Sequence, residues 1–204
     1  MRQVRVKQTP RTSQAAPTGP FGFRDITSPV GPLRLIATPR GLAEIVYLTQ
    51  PETDTTAGTL HRCDAELVGP VQPEDAYAGH DGLRIRDVLA QAETELGTYF
   101  AGQLKRFSVP LDPVLSSGFY LEARRAMCQI PYGHVASYGE VAAMAGRPRA
   151  ARAVGTACAH NPIPIIVPCH RVVPASGGMG SYGGGEWVKA LLLTLEGVAP
   201  DQLS

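Results

Sequence analysis

Residues 131–173 read PYGHVASYGEVAAMAGRPRAARAVGTACAHNPIPIIVPCHRVV, and this stretch decides what the second half of the chain can become. Ser137 followed three residues later by Glu140 is a capping box, in which each side chain satisfies a backbone N–H that the first helical turn leaves open. It starts a helix over GEVAAMAG. Gly146 ends that helix, and Pro148 stands where the next one would begin. ARAVGTACA is then a second short helix. Two short helices joined by a tight turn make a helix-turn-helix pattern. The run NPIPIIVPCHRVV that follows carries Pro162, Pro164 and Pro168 and is too rich in proline to be helix.

Outward from this stretch, residues 119–129 read as helix. SGGMGSYGGG is a glycine loop, and EWVKALLLTLEG is an amphipathic closing helix. Toward the N-terminus, FSVPL at 107–111 reads as an edge strand, and LRIRDVLAQAETELGTYFA at 83–101 spaces its apolar residues as a helix does. FGFRDITS, GPLRLIAT and GLAEIVYL, between 21 and 48, are β-branched or aromatic runs separated by Gly and Pro, which predicts a small antiparallel sheet. Residues 50–82 are polar and acidic and read as a long loop. Residues 1–20 carry four basic residues, no acid and no apolar h-region. They are expected to be a disordered tail, with a transit peptide or a DNA-touching arm as the alternatives. The fold expected is therefore α+β. A tail (1–20) precedes an N-terminal α/β domain (21–112) with its acidic loop, and then a mostly helical C-terminal domain (113–204) with the helix-turn-helix and an active-site loop.

Composition narrows the classes. The chain is 44% hydrophobic and 18% charged, a balance that allows a sizeable core. No stretch approaches the ~20 apolar residues of a membrane span, so no membrane partner is expected. The four cysteines, Cys63, Cys128, Cys158 and Cys169, form no C-x-x-C pair, and no secretory signal precedes them. Reduced thiols and a cytoplasmic protein follow, nucleoid-associated if bacterial and nuclear if eukaryotic. Net charge is only +1, but residues 121–190 hold seven Lys/Arg against three acids, a local excess of +4 that permits a phosphate-facing surface.

Chemistry concentrates at Pro168-Cys169-His170-Arg171. A thiolate is the strongest side-chain nucleophile, but a free thiol is mostly protonated at neutral pH. His170 offers a base and Arg171 a positive charge. An isolated Cys-His pair is more often a buried small side chain with a neighbour, so the surroundings decide. Three prolines stiffen the approach to Cys169, as suits a nucleophile held against one substrate carbon. Asn161 favours a turn and offers an amide to brace it. If the segment is a strand, His170 and Cys169 point to opposite faces, so His170 need not touch Cys169 directly and a bridging water can connect them. The helix AARAVGTA has one long side chain, Arg152, among small ones, and so can let a backbone approach DNA closely. It carries none of the other Arg, Asn or Gln residues that read base edges, which predicts little sequence specificity.

Residues 131–197 resemble the O6-alkylguanine-DNA alkyltransferase family, also called methylated-DNA–protein-cysteine methyltransferases. The resemblance rests on the stretch quoted above with GSYGGG and the terminal LEG, and extends more weakly over 24–48 and 85–120. It implies a repair protein that moves an alkyl group from O6-alkylguanine, and from O4-alkylthymine, to its own cysteine, irreversibly and once per molecule, after flipping the nucleotide out of the duplex. It further implies Cys169 as acceptor, His170 as base through water, Glu196 holding the other imidazole nitrogen, Asn161 as brace, and Tyr138 assisting protonation of the leaving base. Arg152 is the implied finger in the gap, carried with Ala151, Ala153 and Gly155 on the DNA-facing helix. Val172, Tyr182, Gly183 and Cys158 are the implied pocket, with the Val172 and Cys169 carbonyls meeting the guanine amino group. The implied partner is double-stranded DNA carrying O6-alkylguanine, met by a monomer without metal or organic cofactor.

Some positions depart from the family's pattern. Arg124 stands where a Trp is frequent, Cys158 where a larger apolar residue is frequent, and Ala159 where some relatives carry a basic residue. Some relatives hold zinc through cysteines and histidines near the N-terminus; here no Cys precedes Cys63, and His61 and Cys63 alone supply two ligands, short of a tetrahedral site, so no such zinc is expected. Three rivals remain. A non-catalytic alkyltransferase-like lesion sensor would replace Cys169, commonly by Trp. A plain helix-turn-helix regulator would show several base-reading side chains. A cysteine hydrolase would need turnover and a distant His.

Overall fold

The computed structural model describes residues 21–49, 71–73 and 78–198. The basic tail, most of the acidic segment, and His61 and Cys63 lie outside the described residues.

Strands β1 (Phe21–Ile26), β2 (Leu33–Thr38) and β3 (Gly41–Tyr47) form an antiparallel meander, with Phe23 opposite Ile36 and Leu35 opposite Ile45. The segment 50–82 is not loop throughout. Val71–Pro73 adds a fourth strand, β4, parallel to β1, and the sheet runs β3-β2-β1-β4. Three residues ending in proline carry little strand signal in sequence, and proline is tolerated because β4 is an edge.

Helix α1 (Gly79–Phe100) begins four residues before the sequence reading placed it. Ile85, Leu89, Ala92, Leu96 and Tyr99 are fully buried along one face, and they pack with Leu33, Leu35 and Ile45 of the sheet. Burying Ile85, Leu89 or Leu96 contributes roughly 1.5–3 kcal/mol each. The opposite sheet face buries Phe21, Ile36, Ala43 and Val46. The segment 107–111 is not a strand. It makes one parallel bridge, Leu42 to Leu111, where the Pro110 carbonyl accepts from Leu42 N at 2.8 Å. Pro110 has no N–H to extend the ladder.

The second half holds α2 (Gly118–Met127), the short strand β5 (Ala136–Ser137), α3 (Tyr138–Met144), α4 (Ala151–Ala159), β6 (Val172–Val173, parallel to β5) and α5 (Glu186–Leu195). The capping box forms: Glu140 N donates to Ser137 Oγ at 3.2 Å, and Ser137 N donates to Glu140 Oε2 at 2.7 Å. Gly146, at φ +73°, turns the chain after α3 in the left-handed conformation that glycine adopts without cost. Val141 and Ala142 of α3 meet Val154 and Ala157 of α4 in one cluster that also takes in Leu89 and Leu96 of α1 and Leu192 of α5. The two halves therefore share a core. Among the described residues no helix is long and apolar enough to cross a membrane.

Candidate active site

The segment 161–171 folds on itself. Asn161 accepts from Ile163 N at 3.2 Å through Oδ1, and its Nδ2 donates to Val167 O at 2.8 Å and to Cys169 Sγ at 3.1 Å. Val167 N donates to Ile163 O and Cys169 N to Val167 O. Closing this loop forces Ile165 to φ +73°. That conformation costs a residue with a Cβ about 1–3 kcal/mol. Its side chain is fully buried, which offsets the strain by a similar ~1.5–3 kcal/mol. Cys169–Arg171 is a 3-10 turn rather than a strand, because Arg171 N reaches back to Pro168 O at 3.0 Å. Successive side chains therefore point about a third of a turn apart instead of to opposite faces.

Glu196 lies just past the end of α5 and gathers the polar groups. Its Oε1 is 2.9 Å from His170 Nε2, 2.9 Å from Arg171 Nη2 and 2.7 Å from the Tyr99 hydroxyl. Its Oε2 accepts from Arg171 Nε at 2.8 Å and from Gly133 N at 3.3 Å. Burial opposes the carboxylate charge, but the His170 and Arg171 donors outweigh it and hold the carboxyl at about 2. His170 is completely buried, and burial pushes its imidazole below the usual range despite Glu196. The ring is therefore neutral, with its proton on Nε2 facing the carboxylate. Nδ1, buried and without a partner among the described residues, carries the lone pair.

Burial also pushes the Cys169 thiol up, against the opposing pull of the Asn161 amide, the Lys189 ammonium and Arg124. The positive surroundings expected from sequence are present, but desolvation outweighs them, so the thiol needs a base. Lys189, fully buried on α5, donates to the Val172 carbonyl at 2.7 Å. That oxygen retains one lone pair for a ligand. Cys158 is pushed up to about 12 by burial and stays a thiol.

Cys169, Asn161, Cys158, Tyr182 and Gly183 line one cavity of about 370 Å³, together with Arg124 and residues of β3. His170, Glu196, Val172 and Tyr138 are not among the residues that line it. The glycine loop closes one side, where the Tyr182 hydroxyl lies 3.0 Å from that of Tyr47 and its ring meets His170 edge-on. Gly184 is required there, because a Cβ would come within 2.9 Å of the Tyr47 ring. Tyr138 joins the loop to the helix-turn-helix. A Cβ at Gly155 would sit 3.9 Å from its ring, and one at Gly180 would sit 3.5 Å from its hydroxyl. Burial and the neighbouring thiols push the phenol up, so it holds its proton.

Arg152 projects from α4 into solvent, flanked by half-buried Ala151, Ala153 and Gly155. The +4 excess is not all surface. Arg124, Arg171 and Lys189 are buried, which leaves Arg125, Arg147, Arg149 and Arg152 exposed, with Arg147 3.3 Å from Glu122. Arg124 donates to His160 O at 2.6 Å and walls the cavity. No three His, Cys, Asp or Glu side chains converge as metal ligands among the described residues.

Five residues of the site were missed in the sequence: Tyr47, Tyr99, Arg124 as a cavity wall, Arg171 as a partner of Glu196, and Lys189. Lys189 had a signal, since its spacing to Leu192, Leu193 and Glu196 puts it on the buried face of α5. Tyr47 and Tyr99 had none, being set in place by the packing of one half on the other.

Residues 118–198 match the DNA-binding domain of 6-O-methylguanine DNA methyltransferase, and residues 24–113 match its ribonuclease-like domain. A methylated-DNA–protein-cysteine methyltransferase of Mycolicibacterium paratuberculosis is 53% identical over 107 residues, 52% of this chain and 64% of that protein. One of Mycobacterium bovis is 41% identical over 85% of this chain and 91% of its own length. The O6-methylguanine methyltransferase of Mycobacterium tuberculosis superposes with a TM-score of 0.67 at 38% identity, covering 88% of this chain and 95% of that one. The Mycobacterium tuberculosis OGT bound to DNA does so with a TM-score of 0.67 at 38% identity, covering 89% and 97%.

Proposed function

Because the chain belongs to the family of 6-O-methylguanine DNA methyltransferases, we propose that it is a DNA-repair methyltransferase that moves an alkyl group from O6-alkylguanine in duplex DNA, and from O4-alkylthymine, to Cys169. The observation that carries this reading is the arrangement around the sulfur. Cys169 Sγ accepts from Asn161 on the wall of a cavity, next in sequence to a neutral His170 whose Nε2 is held by Glu196. His170 Nδ1 takes the thiol proton, directly or through water. The sulfur attacks the alkyl carbon, the carbon–oxygen bond breaks, and its electron pair returns to the guanine. Tyr138, whose phenol is protonated, gives its proton to the departing base, and the proton that His170 took from the thiol returns through solvent to restore the phenol. The product is a thioether and a restored guanine, with no cofactor in the balance.

In this reading α4 carries the DNA contact. Its small residues, Ala151, Ala153 and Gly155, let the backbone approach, and Arg152 fills the gap left by a nucleotide flipped toward Cys169. Tyr182, Gly183 and Cys158 line the cavity that takes the alkyl group, and Val172, outside that lining, offers its carbonyl to the base. The first half, 21–112, is the scaffold for a catalytic second half, 113–204, and a monomer acts wherever the DNA is held.

Intact-protein mass after incubation with O6-methylguanine duplex tests the reading. One methyl should replace one hydrogen on the peptide holding Cys169. The Cys169→Ser chain should bind the same DNA and gain nothing. Binding without any mass gain in the parent would make the chain a lesion sensor instead.

A further inference from the structure

We propose that Tyr99, a residue of the first half of the chain, is a positioning residue for the transfer at Cys169. The inference rests on the reading above, in which His170 is the base.

Tyr99 lies on α1 and is fully buried. Its ring is fixed by Phe100 at 5.5 Å, Phe107 at 5.2 Å and Tyr132 at 6.2 Å between centroids. A core aromatic needs no hydroxyl, and a buried hydroxyl costs free energy unless it is paired. Here it is paired with a charge, donating at 2.7 Å to Glu196 Oε1, the oxygen that also faces His170 Nε2. Arg171 already neutralises the carboxylate through two donors. Tyr99 adds no charge, and what it supplies is direction. The imidazole plane is set by Glu196, and Glu196 is held against α1 by Tyr99, 97 residues away in sequence. The packing of the first half is thereby joined to the orientation of the base.

The phenol also tempers the carboxylate. A donor on Oε1 spreads the negative charge and limits how strongly Glu196 favours the imidazolium. Around this carboxylate stand Tyr99 on α1, Tyr132 and Gly133 on the turn before β5, and His170 and Arg171 on the active-site turn. Lys189 on α5 acts on His170 through space. Removing the phenol proton makes Glu196 a stronger base toward His170, so His170 takes up a proton at higher pH.

Single-turnover transfer from O6-methylguanine duplex, followed against pH in the full chain, tests this. Tyr99→Phe should slow transfer about 10-fold at neutral pH by loosening the base and move the acid limb of the rate profile to higher pH, with DNA binding unchanged. Tyr132→Phe is the control. It removes a hydroxyl of the same cluster that donates to Leu195 O instead, and it should keep the parent profile. Tyr99→3-fluorotyrosine preserves the packing with a stronger donor and should move the limb the other way, which keeps the test decisive if Tyr99→Phe folds poorly. A limb unmoved by either Tyr99 substitution, or moved as far by Tyr132→Phe, overturns the proposal. A parent chain that transfers nothing overturns the assignment of Cys169, and this proposal with it.

Discussion

Asn161 holds Cys169 and the loop behind it with one amide: Nδ2 lies 3.1 Å from the sulfur and 2.8 Å from the Val167 carbonyl. This bond is one of the few contacts favouring the thiolate in a site where burial opposes it.

Asn161→Asp replaces that donor by an acceptor, and by a like charge once the sulfur ionises. A hydrogen bond to a charged group contributes about 1.5–3 kcal/mol, so the single-turnover rate should fall roughly 10- to 100-fold. The rise of rate with pH should move to higher pH, because the thiol becomes harder to ionise. Stopped-time transfer assays across pH check both. An unchanged profile would mean that the amide serves only the loop.

Acid should destabilise the fold through His170 and Glu196 together. Glu196 titrates near 2 in the folded chain against an ordinary value of 4.5. Its contribution is complete above about 4.5 and is lost as pH falls from there toward 2. His170 is buried neutral with its value lowered below 6.5, so the unfolded chain gains a proton that the folded chain resists, and stability falls once pH drops below 6.5. Both signs agree. Glu196→Gln should cost about 3–5 kcal/mol at neutral pH, since Arg171 is left buried without its counter-charge. It should also flatten the part of the profile between 4.5 and 2. Thermal midpoints of both chains over pH measure this, and parallel curves would place the acid sensitivity elsewhere.

Arg152 is exposed on α4 and is not among the hydrogen-bond partners of Cys169, His170 or Glu196, so replacing it leaves the thiol and its base intact. Arg152→Ala should impair repair of duplex DNA far more than reaction with free O6-benzylguanine. Flipping costs a few kcal/mol of unstacking, which a side chain in the gap partly offsets, and the free base has no stack to leave. Equal losses on both substrates would refute the finger role.

The helix-turn-helix was legible because its signals are local. Ser137 and Glu140 cap α3, Gly146 stops it, and α4 occupies the nine residues that the pattern marked. Cys169, His170 and Asn161 were legible because a rigid loop of prolines leaves few conformations. What stayed hidden depends on distant segments meeting. The strand β4 exists only by pairing with β1 some fifty residues earlier. The stretch around Pro110 lost its strand because one missing N–H stops the ladder. Arg124 and Lys189 counted as surface charge in the sequence and are buried in the fold, Arg124 on the cavity wall and Lys189 against the Val172 carbonyl. Tyr47 and Tyr99 look like ordinary core aromatics until the second half packs against them.

The product state distinguishes two causes of instability. A thioether has no leaving group that water or His170 can readily expel, so titration against excess O6-methylguanine duplex should plateau at one methyl per chain, and sustained turnover would refute the single-use mechanism. Crowding against Asn161, Cys158 and the proline loop would be the simple reason for the alkylated chain to be less stable. The cavity beside Cys169, at about 370 Å³, has room for a methyl, so crowding is not the main term. The change is at the sulfur, which as a thioether is a poor acceptor and leaves one N–H of Asn161 Nδ2 without its partner. A buried donor so stranded costs about 1–3 kcal/mol, and each kcal/mol lowers the midpoint of a chain this size by roughly 2–4 °C. The methylated protein should therefore melt lower than the fresh one by several degrees. In the Asn161→Ala background, where no N–H remains to be stranded, methylation should cost almost nothing. If the full drop persists in Asn161→Ala, the stranded amide is not its cause and steric crowding is. If neither background shows a drop, the hydrogen bond to the sulfur contributes nothing to stability.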